Sequence, residues 1–159
     1  MLDVIFAIKF VHVLAAAAMF GTWLCLACFM LLAHRSGNTS VVALTSQFVV
    51  SVEKIIMVGA IVVLPLSGFP LASAIGLSPL AEFWIDVSLV LYAVIVACWI
   101  AAVRTEIRIR GLARDAALSG ARLSDAYRGL FRRWCLFAAP ALLGMSIVVA
   151  LMIWQPRLD

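Results

Sequence analysis

The sequence predicts an all-α integral membrane protein, a four-helix bundle whose helices extend beyond the membrane on the cytoplasmic side. Three observations carry that expectation. Of 159 residues, 66% are hydrophobic and 13% charged, more apolar surface than a soluble domain of this length can hide. Four apolar stretches, at about 4–33, 48–75, 83–103 and 134–154, each reach the roughly 20 residues that a spanning helix requires. Eight of the twelve basic residues (Arg104, Arg108, Arg110, Arg114, Arg122, Arg128, Arg132 and Arg133) fall between the third and fourth stretches, which by the positive-inside rule places the 104–133 connection in the cytoplasm. A single domain, 1–159, accounts for the chain.

The first span runs without a breaker from Leu2 to about Leu32. It is expected to remain uncleaved, because Met1-Leu2-Asp3 is acidic and the apolar run exceeds a signal-peptide core. Ser36-Gly37-Asn38 supplies the turn that ends it. Val41–Ser51 reads as helix rising from the cytoplasmic surface into the second span, whose outer half carries Pro65, Gly68 and Pro70 and predicts a kink or a frayed end there. Gly76-Leu77-Ser78-Pro79 then turns the chain toward Phe83-Trp84. The third span continues past the membrane, since Arg104–Arg114 alternates charged and apolar residues at helical spacing, and Gly120 is the expected break. Leu123-Ser124-Asp125 restarts a helix that leads into the fourth span. Trp84 and Trp154 are expected at the outer interface and Trp134 at the inner one. Both termini then face outward, into the periplasm if the membrane is the bacterial inner (plasma) membrane, with Glu82 and Asp86 on the same side.

Several function classes have no support in these residues. There is no phosphate-binding loop, dinucleotide fingerprint or Ser/His/Asp order. The arginine cluster reads as a topology and lipid-headgroup device, so the expected partners are the lipid bilayer and either a second copy or a larger membrane complex, with no nucleic acid. Cys25, Cys28, Cys98 and Cys135 lie within or at the edge of apolar spans and read as small apolar residues, the C-x-x-C at Cys25 and Cys28 lacking a redox context.

Chemistry points instead to Lys9 and His12, which share one helical face inside the first span. An ionisable group there is costly and marks a functional site by default. Counting inward at about 1.5 Å per residue places His12, Pro65, Tyr92 and Met145 in one layer, each about ten residues from the outer end of its span. His12 and Met145 are candidate axial ligands of a b-type haem between spans one and four, with Tyr92 beside it. Lys9 would hold a haem propionate, reach Asp86, or extend to the outer headgroups. Ala15–Ala18 and Gly21 leave room for a flat cofactor or for a closely packed helix. Glu53 and Lys54, adjacent on the second span, cannot face each other and must find separate partners; an interfacial ion-pairing role is the first expectation and a proton path or quinone site the alternative. The first expectation is therefore a haem-binding redox or electron-transfer protein, with haem iron on His12; as an enzyme it would be a haem-dependent oxidoreductase. The alternatives are a non-enzymatic accessory subunit of a larger membrane complex, and a transporter of copper or another metal using His12, methionines and Cys25 with Cys28.

Lys9-Phe10-Val11-His12, Gly21-Thr22, Leu66-Ser67-Gly68, the run from Trp84 through Leu91-Tyr92 to Cys98-Trp99, Tyr127-Arg128 with Arg132 and Trp134, Pro140-Ala141, and Leu151-Met152 before Gln155-Pro156 form a pattern. It resembles, over nearly the whole chain, a family of four-span bacterial integral membrane proteins described as a domain of unknown function. More distantly the layout is similar to HemJ-type membrane protoporphyrinogen oxidases and CopD-like copper-resistance proteins, which share a histidine early in a small helical bundle. In the oxidases that histidine is associated with b-haem, which implies the same for His12. Ser88 stands where the oxidases have a lysine after the tryptophan, and Arg133-Trp134-Cys135 replaces their Asn-Glu pair. The resemblance thus implies the haem site rather than the oxidase activity.

Overall fold

A computed structural model describes residues 2–77 and 82–156, and among these residues every regular element is helical. Helix α1 spans Leu2–Ser36, α2 Thr39–Val52 and α3 Val58–Ala74, the last two joined by a π-helical turn, Glu53–Met57; α4 spans Phe83–Ser119 and α5 Asp125–Trp154. With α2, the π turn and α3 taken as one rod, Thr39–Ala74, four helices are long and apolar enough to cross a membrane. At about 1.5 Å per residue α1 is roughly 50 Å long, against a hydrocarbon core of about 30 Å, so the helices overrun the bilayer.

Local chemistry sets the ends. Gly37 leaves α1 in the left-handed region (φ 64°), and the Asn38 side chain caps α2 by accepting from the amides of Ser40 and Val41 at 2.9 and 3.3 Å. Gly120 closes α4 at φ 67°, a backbone that a side chain would strain. Ser124 caps α5 by accepting from the Tyr127 amide. The end expected to fray at Pro65–Pro70 stays helical, through both prolines to Ala74. An irregular turn lies earlier, at Glu53–Met57, about two helical turns before Pro65, where no proline or glycine signals it. The Gly76–Pro79 turn is described only at Gly76 and Leu77; Ser78 and Pro79 fall outside the described residues.

Packing divides the bundle into two close pairs, α1 with α3 and α4 with α5, while α2 bridges to α4 and α1 at the arginine-rich end. Ile95 lies so close over Gly144 that a Cβ there would come within 3.1 Å of its side chain, which lets α4 and α5 approach. The core runs the length of the molecule: Met19, Trp23, Ile95 and Met145 lie toward the end bearing the chain termini, and Met30, Val42, Ile109, Tyr127 and Phe131 toward the arginine-rich end. There the His34 ring stacks on Phe131, centroids 3.7 Å apart, and its Nδ1 lies 3.1 Å from the Tyr127 hydroxyl, tying α1 to α5. Trp84 and Trp134 correct the interface expectation: at 6% and 2% exposure they point into the bundle, whereas Trp154 is exposed.

Candidate functional site

Two polar sites interrupt the apolar interior, one near each end. The first is built on His12. The N-terminal part of α1 meets α3 through His12, and its outward residues, such as Phe6, Phe10 and Val13, are exposed as a lipid-facing surface must be. His12 is half-buried and turns toward α3. Its Nδ1 lies 3.0 Å from Ser67 Oγ and 3.2 Å from the Leu64 carbonyl. The Ser67 hydroxyl is already engaged as a donor, 2.6 Å from the Val63 carbonyl. Both neighbours of Nδ1 therefore act as acceptors, so the proton of the neutral ring sits on Nδ1 and the lone pair on Nε2. Gly68 supplies the notch for the ring, since a Cβ there would stand 3.1 Å from His12 Cε1. Nε2 itself makes no hydrogen bond among the described residues.

Tyr92 docks on the same stretch of α3. Pro65 has no amide hydrogen, which leaves the Ile61 carbonyl without its helical partner, and the Tyr92 hydroxyl donates to that carbonyl at 2.5 Å. Its phenol thus satisfies a carbonyl that a proline set free, a use that depth counting on the sequence did not reveal. His12 and Tyr92 are brought to carbonyls one turn apart on α3. Met145 and Lys9 are not brought to them. Met145, 3% exposed, is packed in the core of α5, and Lys9 is exposed, with no ion pair among the described residues. Beside His12 an open groove of about 350 Å³ is lined by Ala7, Ile8, Val11, Val63, Leu66 and Pro70 together with Ser67; it faces outward between α1 and α3.

These facts test a haem against the residues present. An imidazole whose Nδ1–H is held by a carbonyl and whose Nε2 is free has the orientation of a ligating histidine, so His12 fits. Met145 is buried in the core of α5, and no observation here supports it as a second ligand. Ala15 is buried as helix-packing surface, consistent with close helix approach rather than an open slot.

Of the second site the sequence analysis singled out Glu53 but not its partner. Glu53, the first residue of the π turn, and Glu106 on α4 are both 0% exposed. They stand within reach of each other, and the Trp99 indole lies against Glu53. Trp134 Nε1 donates to Glu106 Oε1 at 2.5 Å. Both Glu53 oxygens, Glu106 Oε2 and Trp99 Nε1 have no well-formed hydrogen bond among the described residues. Among the described residues no lysine or arginine pairs with either acid: Lys54, Arg104 and Arg133 are exposed. The ion-pairing role read for Glu53 is thus corrected; its partner is a second carboxyl. A signal for Glu106 did exist, since Ala102, Glu106, Ile109 and Ala113 recur at helical spacing as the apolar stripe of an otherwise arginine-rich helix. An acid on that stripe is buried.

Elsewhere the donors do not gather. Cys25 and Cys28 are exposed and all four cysteines are free thiols, and among the described residues no three His, Cys, Asp or Glu side chains converge. Compared with known proteins, residues 6–156 match the family model described as predicted integral membrane protein (DUF2269). No curated protein and no solved structure matches the chain.

Proposed function

The chain belongs to the DUF2269 family of predicted integral membrane proteins, and from that premise we propose that it is a b-type haem-binding membrane protein with a redox or electron-transfer role, in which His12 Nε2 would hold the haem iron. The observation that carries this reading is the pair of acceptors on Nδ1, Ser67 Oγ and the Leu64 carbonyl, which fixes the ring and leaves a lone pair on Nε2. A bound haem would supply one-electron chemistry. The chain's own part is to orient the imidazole, through Ser67, Leu64 and the Gly68 notch, and to keep water away with the apolar residues of α1 and α3. Met145, buried in the core, has no observation to support it as a further ligand and is not carried into the reading.

The test is the absorption spectrum of the protein purified from haem-sufficient cells. A Soret band that disappears in His12→Ala and weakens or shifts in Gly68→Ala, whose new Cβ displaces the ring, is the expected result. A band unchanged in His12→Ala removes His12 as ligand, and a wild-type protein without a band removes the haem.

One observation favours a second reading. Ser67, Leu64 and Gly68 account for His12 as an interhelical clip with no cofactor, and the chain would then be a non-enzymatic subunit that co-purifies with a larger membrane complex and has no chromophore. For transport of copper or another metal, no group of three His, Cys, Asp or Glu side chains among the described residues offers support. In either reading the arginine-rich end is cytoplasmic and the termini face outward across a bacterial inner membrane, a proposal resting on the charge asymmetry.

A further inference from the structure

Three carboxyl oxygens and an indole N–H without partners are an unusual burden for the interior of a membrane protein, because each costs the desolvation of a polar group that is not repaid. Two oxygen atoms facing each other across Glu53 and Glu106 have no donor between them as carboxylates. One proton changes that, since a carboxyl O–H donates where a carboxylate only accepts. The charge balance points the same way: two anions side by side at zero exposure, with no ion pair to either among the described residues, repel strongly. The side chains recorded against the pair are neutral indoles, Trp99 at Glu53 and Trp134 at Glu106. Among the described residues no ion pair reaches either acid: Lys54, Arg104, Arg132 and Arg133 are exposed, and Arg110, one turn along α4 from Glu106, is half-buried without an ion pair to it.

Two further features are independent of the carboxyls themselves. Glu53 opens a π-helical turn, a deformation that is found mostly at functional positions. The indole of Trp134 is buried for the purpose of donating to Glu106, which holds that carboxyl in place while Trp99 Nε1, buried and without a partner, is aimed at Glu53. The site is therefore built, with one acid clamped and the other supplied with a donor in waiting.

We propose that Glu53 and Glu106 form a proton-loading site: one exchangeable proton is held between the two carboxyls at the arginine-rich side of the membrane. On loading, a proton taken from water forms an O–H bond on one carboxyl and is shared by hydrogen bond with the other, so the pair goes from two negative charges to one. On release the same O–H bond breaks, the proton returns to water and the pair regains its charge. No electron moves and no other reactant is needed. Intramembrane acids commonly serve in proton relays, and this pair is independent of the haem reading at His12.

Infrared spectroscopy of the full chain in lipid nanodiscs at neutral pH tests this. The expected result is a protonated-carboxyl C=O band that shifts on transfer to D2O, persists in Glu53→Gln or Glu106→Gln only in altered position or intensity, and vanishes in the double variant. Each glutamine offers an amide N–H to the remaining acid, so the single variants are expected to fold, and a matching circular dichroism spectrum checks it. Absence of the band in wild type, or its survival in the double variant, overturns the proposal. A band that does not shift in D2O overturns exchange, and one that is lost on adding sodium or potassium at constant pH replaces the proton by a metal cation. Failure of the haem spectrum would leave every one of these outcomes unaffected.

Discussion

At the residue scale the second rod shows how a cost is offset across helices. Pro65 frees the Ile61 carbonyl and Tyr92 supplies the missing donor from α4. Tyr92→Phe should destabilise the folded state by about 1–2 kcal/mol, the penalty for an unsatisfied buried acceptor. If that is the cause, Pro65→Ala, which restores a backbone amide to the same carbonyl, should make the phenylalanine nearly neutral. Equilibrium unfolding of the two single variants and the double variant measures the coupling, and additive effects would show that Tyr92 stabilises by packing alone. The site residues are unevenly legible. Lys9 and His12 stand out because charge in an apolar run is conspicuous, but the tautomer of His12 depends on which way the Ser67 hydroxyl is already committed, and that is a fact of α3 alone. Tyr92 and Met145 share a depth with His12 by counting, yet depth says nothing about direction: one is turned to a carbonyl and the other into the core.

At the element scale the helix ends follow local rules and the helix interior does not. Ser36-Gly37-Asn38, Gly120 and Ser124 all act where their side chains or their left-handed backbones predict. Ser124→Ala should lower stability by about 1 kcal/mol through loss of the cap on α5, and Gly120→Ala by about 1 kcal/mol through left-handed strain; thermal unfolding followed by circular dichroism reads both. The π turn carries no such signal. Glu53-Lys54-Ile55-Ile56-Met57 contains good helix formers, and nothing in it reveals a change of hydrogen-bond register. The prolines that do invite a break are absorbed, because Tyr92 satisfies one freed carbonyl and the flanking helix packs on α1.

At the scale of the whole molecule the two helix pairs, α1 with α3 and α4 with α5, are joined most firmly at the arginine-rich end, by α2 and by the stack of His34 on Phe131. Exposed arginines ring that end, with Arg128 reaching Asp125 at 3.5 Å, an exposed pair of little energetic weight. The proposed orientation makes a direct prediction. A cysteine placed at Arg122, with the native cysteines replaced by alanine, should react with an impermeant maleimide only from the cytoplasmic side, and one placed at Gln155 only from outside. The opposite pattern would reverse the topology while leaving the fold intact. His34→Ala should loosen the join, seen as faster proteolysis within 104–133 without loss of helix content.

The amino-acid sequence by itself determined the number of spanning helices, their overrun of the bilayer, the caps and the concentration of arginines at one end, because each depends on composition or on residues a few positions apart. Only the tertiary structure decided that Glu53 meets Glu106, that Trp134 belongs to that pair instead of to the membrane surface, and that Met145 is core. On a long helix each residue turns the side chain by about 100°, so the partner across the interior is set by rotational phase and depth. Those are fixed by packing against the other helices, and here by one π turn that shifts the phase in the middle of a rod.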